Sequence, residues 1–168
     1  MFRNMAVSLI LTAGDTEKTG VAVPGRIVTT VAKAKELRPI IEKVITMAVK
    51  ARRILDGASQ YRTDAARGSD EWKAWRQSEE GRNWVQATAP ALALRRRAFS
   101  QLRSEDAVDL LFGVLAERFL SRPGGYTRIV RLAGVRLGDA GQRAIIEFVG
   151  TNDRVRSTDR QAPAVVSE

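Results

Sequence analysis

The side chains of this chain that could do chemistry are cationic and come in groups. Lys33, Lys35 and Arg38 share one six-residue stretch, Arg95, Arg96 and Arg97 are consecutive, and Arg118, Arg122, Arg128, Arg131 and Arg136 gather around Gly124-Gly125. A guanidinium is the planar, bidentate partner of phosphate. On a strand Tyr126 and Arg128 share a face. An Arg beside a Tyr, next to bare glycine backbone, suits a phosphate contact plus stacking of a base or ribose. The bland reading of such charges is a solvated sheet face. The totals favour the sharper one: 28 Lys and Arg, of which 22 are Arg, against 19 Asp and Glu give a net charge of +9. A GC-rich coding sequence would account for Arg in place of Lys but not for the excess. A polyanionic partner is expected, nucleic acid first, with DNA and RNA both open on composition.

Other chemistries are poorly supplied. The chain has no Cys and no His, which removes thiol nucleophiles, disulfides, zinc fingers and every His-based triad. Asp106 with Asp109, and Glu79 with Glu80, are the nearest approach to paired carboxylates. The first pair serves a helix N-terminus better than a cation. Lys18-Thr19 resembles the end of a phosphate loop, but Glu17 stands where Gly is required and the upstream Gly is missing. Neither an enzyme, a cofactor nor a metal site is expected.

The elements that must position these groups follow from periodicity. No apolar run reaches membrane-spanning length. The start resembles a signal peptide only loosely, and Met1, Met5 and Leu9 at steps of four read as an amphipathic helix over residues 1 to 11. A Gly/Thr/Pro-rich loop follows at 12–25, then a β-branched strand from Arg26 to Val31. Leu37, Ile41, Val44, Ile45 and Ala48 define the apolar face of the next helix, with a kink or a helix junction expected at Pro39. A basic helix is read from Leu92 to Arg103. Another is capped by Ser104 and carries Val108, Leu111, Phe112, Leu115 and Phe119 as its stripe. Tyr126–Val135 and Arg143–Val149 read as the strands of an antiparallel hairpin joined through Gly138–Gly141. The expected fold is α+β in two layers, with helices on one face of a small three-stranded mixed sheet.

Two segments stand apart. Asp56–Pro90 holds six acids and five bases, and all three Trp residues, in a chain otherwise strongly positive. It reads as an insertion with helical character around Asp70 to Gln77. Its indoles either dock on a partner or fold the segment back on the domain, and packing is the commoner role for such residues. From Asn152 the chain is polar and without periodicity, as expected of a disordered tail. One domain over 1–150, with 56–90 inserted and a flexible 151–168, is the expected organisation.

Four motifs stand in order: Met1-Phe2-Arg3-Asn4-Met5-Ala6 with Ser8-Leu9; Arg26-Ile27-Val28-Thr29-Thr30 with Ala32-Lys33-Ala34-Lys35-Glu36-Leu37-Arg38; Arg95-Arg96 with Ala98-Phe99; and Arg122 with Gly124-Gly125-Tyr126-Thr127-Arg128-Ile129. Together they resemble the bacterial large-subunit ribosomal protein L-seventeen family over residues 1–11, 26–55 and 92–150. The resemblance implies a non-catalytic constituent of the cytoplasmic ribosome that binds large-subunit ribosomal RNA near the peptide-exit side. Its other partners would be neighbouring large-subunit proteins, with no membrane and no small-molecule substrate. The RNA-contact candidates it implies are Arg3, Asn4, Lys33, Lys35, Arg38, Arg95, Arg96, Arg122, Tyr126 and Arg128. Family members usually carry a short basic, His-containing arm ahead of the Met-Phe-Arg-Asn-Met-Ala stretch, on which this sequence opens. The insertion at 56–90 is a second departure. A free-standing basic regulator of RNA or DNA would share the charge but not the ordered motifs. A metal-dependent nuclease or phosphatase would need the clustered carboxylates that are missing.

Overall fold

The computed structural model describes residues 1–14, 24–150 and 153. The Lys18-Thr19 pair and nearly all of the expected tail lie outside those residues. Helix α1 spans Phe2–Leu11 and buries Ala6, Leu9 and Ile10, the spacing of one helical face. Strand β1, Arg26–Thr30, runs directly into α2, Val31–Gly57. Helix α2 is the spine of the molecule. Its buried side chains include Ala34, Leu37, Ile41, Val44, Ile45 and Ala48, and it packs against α1, all three strands and the helical segments 79–102 and 111–118. Pro39 lies inside this one helix rather than between two. Its ring costs the Lys35 carbonyl a backbone partner, but Lys35, Glu36 and Pro39 are all exposed, so water can replace it.

After a short 3-10 turn at Ser59–Tyr61 come α3, Asp70–Gln77, and α4, Glu79–Leu102. The basic helix expected from Leu92 thus begins earlier, at Glu79. Pro90, expected to close an insertion, sits within it on an exposed face. Arg103 ends α4 in the left-handed conformation (φ 58°). Helix α5, Glu105–Leu110, continues through a π-helical turn at Leu111–Leu115 into Ala116–Arg118. Leu111, Leu115 and Phe119 are buried at steps of four, which overshoot a 3.6-residue turn. The wider π turn absorbs that drift.

Strands β2, Thr127–Val135, and β3, Gln142–Phe148, form the expected hairpin. The sheet order is β1-β3-β2 and both pairings are antiparallel. A mixed sheet would need β1 beside β2. Instead β3 takes the centre, and β1 and β2, which run parallel to each other, never pair. The register places Ile27, Ile146 and Ile129 in one cross-strand row facing the helices. Val28, Ile145 and Val130 form the next row on the outer face. The core closes around Phe119, whose ring lies 5.1 Å from Tyr126 and 6.3 Å from Phe148. Helices packed on one face of a three-stranded sheet, with α2 lying against all three strands, confirm the α+β, two-layer reading.

Candidate nucleic-acid interface

The helix N-termini separate into two kinds. Those of α3, α4 and α5 are each capped by a serine: Ser69 Oγ accepts from Trp72 N (3.1 Å), Ser78 Oγ from Gly81 N (3.3 Å) and Ser104 Oγ from Ala107 N (3.4 Å). Each cap is followed by two acids, Asp70 and Glu71, Glu79 and Glu80, Glu105 and Asp106. Caps and first-turn acids satisfy orphan N–H groups and the positive end of the helix dipole. The longest helix, α2, has neither. Thr30, its N-cap, makes no side-chain cap bond, and no acid lies in the first turn. Lys33 stands there instead, half-buried, with Lys35 exposed half a turn on. The helix dipole and the Lys33 ammonium together place positive charge at this terminus, which favours an anion there, and Lys35 carries a second ammonium on the other side of the helix.

The other predicted contact residues are placed differently. Arg3 and Asn4 are exposed on α1. Arg38 Nε donates to Glu42 Oε1 (3.3 Å), which also accepts from Thr127 Oγ1 (3.0 Å), so this group ties α2 to the start of β2. Arg95 pairs with Asp109 and lies 5.5 Å over the Phe112 ring. Arg96 and Arg97 are exposed and make no ion pair among the described residues. Arg128 donates to Glu147 (2.5 Å) and sits 3.3 Å from Asp153. The bond to Glu147 and the two carboxylate charges raise its guanidinium above its ordinary pKa. Arg26 lies across from Glu147 on the other side of β3, so one outer row of the sheet reads Arg, Glu, Arg.

Two expectations at the Gly-Gly turn are corrected. Tyr126 does not share an exposed face with Arg128. It precedes the strand and is 4% exposed, with its ring packed at a tilt against Phe119 in the core, so no base can lie on it in this fold. Tyr126 and Thr127 are both buried, and the alternation rule holds only inside the ladder. Arg122 turns inward. Its Nε donates to Gly124 O and Gly125 O (both 3.2 Å), and its Nη1 to Asp153 O (3.0 Å). Arg118 likewise donates to Val149 O (2.6 Å). Neither role has a signal in the sequence, where an Arg that staples carbonyls looks like one that binds phosphate. Among the described residues no group of three or more His, Cys, Asp or Glu could hold a metal, and no helix is long and apolar enough to cross a membrane.

The sequence is similar to curated relatives along almost its whole length. A large ribosomal subunit protein bL17 from Rhodopirellula baltica is 51% identical over 165 residues, covering 96% of this chain and 79% of the relative. The bL17 of Rhodopseudomonas palustris is 35% identical over 159 residues, covering 95% and 79%. That of Opitutus terrae is 40% identical over 129 residues, covering 77% and 57%. The family model described as ribosomal protein L17 matches residues 1–149. That match takes in the α2 terminus, the Arg95-Arg96 pair and the Gly-Gly turn together, and the chain belongs to the ribosomal protein L17 family.

Proposed function

We propose that the protein is a structural, non-catalytic constituent of the large ribosomal subunit in the cytoplasm, binding ribosomal RNA through its Lys- and Arg-rich surfaces. The family supplies the assembly, and the first turn of α2 supplies the carrying observation for the RNA. Among the described helices longer than a turn, only α1 and α2 start without an acid, and α2 carries Lys33 in its first turn with Lys35 just beyond it. Such a departure from good helix chemistry is expected at a functional site. Arg3, Asn4 and Arg96 extend the contact surface. Arg38, Arg95 and Arg128 hold carboxylate partners that an RNA phosphate would have to replace or bridge. Placement near the peptide-exit side, beside other large-subunit proteins, completes the reading.

The test is co-sedimentation of purified protein with large subunits, wild type against Lys33→Glu with Lys35→Gln. The wild type co-sediments and the variant does so weakly. Equal recovery of the two proteins overturns the α2 contact. A wild type that stays in the supernatant overturns the ribosomal reading.

A further inference from the structure

All three tryptophans of the chain lie between α2 and the middle of α4. Trp72 and Trp75 are on α3, and Trp84 is near the start of α4. The corner between the two helices is exceptionally close. Ser78 Oγ donates to Trp75 O (2.6 Å), and a Cβ on Gly81 would stand 2.2 Å from that same carbonyl oxygen. The corner turns α3 back so that the three indoles line one cavity of about 310 Å³ with Arg62, Arg67 and Arg76. Each indole is half-buried. The Arg76 guanidinium lies 5.8 Å from the Trp72 ring centroid, and Trp75 Nε1 is buried without a protein acceptor.

The segment's slight net negative charge is therefore misleading. Three of its five bases line this cavity and none of its six acids does. Aromatic faces beside guanidinium groups are the chemistry of single-stranded nucleic acid, where bases stack on indoles and phosphates meet Arg. An acidic peptide would use the guanidinium groups but leave three indole faces without purpose. We propose that this pocket takes one unstacked nucleotide of RNA, its base against an indole and its phosphates against Arg62 and Arg67. The inference rests on the RNA-binding reading above and adds a second, separate contact to it.

The tryptophans report on their own site, since the chain has no others. The experiment titrates the full-length protein with a labelled single-stranded oligoadenylate hexamer. Label anisotropy reads total binding, and tryptophan emission, excited beyond nucleotide absorption, reads the pocket. Saturable quenching is expected. Its midpoint should weaken about tenfold in Arg62→Gln with Arg67→Gln, a loss of the size that single-stranded contacts carry. Both side chains are exposed, so circular dichroism should be unchanged. Trp72→Phe, which keeps a stacking face, should retain the wild-type midpoint. Anisotropy without quenching overturns the pocket and leaves the RNA reading standing, whereas the absence of both signals overturns both. Quenching by AMP at the same midpoint as the hexamer assigns the pocket to free nucleotides and overturns the RNA chain as its ligand. Displacement of the hexamer by a polyglutamate peptide at lower concentration than by unlabelled hexamer makes it a protein-docking site and overturns the proposal.

Discussion

Arg122 and Lys35 carry the same charge and are placed for opposite work. Lys35 is exposed, and no protein acceptor holds it among the described residues. Arg122 is half-buried and donates to three backbone carbonyls around the Gly-Gly turn. Lys35→Gln is expected to leave stability within about 0.5 kcal/mol, as surface changes do, and to weaken RNA binding. Arg122→Gln should cost about 1 kcal/mol in urea unfolding, a modest figure because solvent can compete for a half-buried group. Equal unfolding midpoints for the two variants would refute the distinction. The glycine it staples is as informative. Gly125 has φ +64°, while a Cβ there would meet no atom within 4 Å. Conformation alone is at stake, so Gly125→Val should cost about 1–3 kcal/mol, and an unchanged thermal midpoint would contradict that. The sequence exposed the need for glycine at this turn. It concealed the direction of Tyr126, because a residue just outside a ladder is oriented by the core it enters, here Phe119, and not by strand alternation.

At the level of elements, apolar periodicity located α1, α2, α5 and the hairpin, and Ser104 marked a true cap. What periodicity missed has local causes. Pro39 and Pro90 read as breaks, yet both sit on exposed helix faces where a freed carbonyl meets water. The π turn at Leu111–Leu115 is invisible to a search for period 3.6 because its buried residues still recur at four. The first turn of α2 yields the sharpest prediction at this scale. Thr30 is the N-cap and Lys33 is the third residue of the helix, the place a capping box reserves for Glu or Gln. Lys33→Glu should therefore stabilise the protein, by about 0.3–1 kcal/mol from the dipole, while weakening its hold on RNA. A rise in thermal midpoint with reduced affinity is the expected pair of results. Unchanged affinity would mean that this terminus faces away from RNA.

For the whole molecule, net charge is a poor count of RNA contacts. Arg38, Arg52, Lys73, Arg95, Arg128 and Arg136 already hold carboxylates. Composition pointed to a polyanion partner, but it could not say which cations were committed within the fold. It also averaged the 56–90 segment to a slight negative charge when three of its four Arg and all three Trp residues line one pocket. The fold shows how to test that segment without damaging its flanks. Removal of all of 56–90 would cut α4 in half. Residues 59–78 lie between the end of α2 at Gly57 and the start of α4 at Glu79. Because those two helices pack together, a short Gly/Ser linker can join them at small entropic cost. The deleted protein should fold, by circular dichroism, and still enter large subunits, since the α2 terminus and the Arg95-Arg96 pair remain. Its RNA affinity should depend less steeply on salt. Each phosphate contact contributes about 0.7–0.9 to the slope of log affinity against log salt, and loss of Arg62 and Arg67 removes two. A slope shallower by roughly 1.5 is expected, and an unchanged slope would show that neither arginine touches phosphate. A folded deletion variant that fails to enter subunits would show instead that the segment is required for assembly rather than accessory to it.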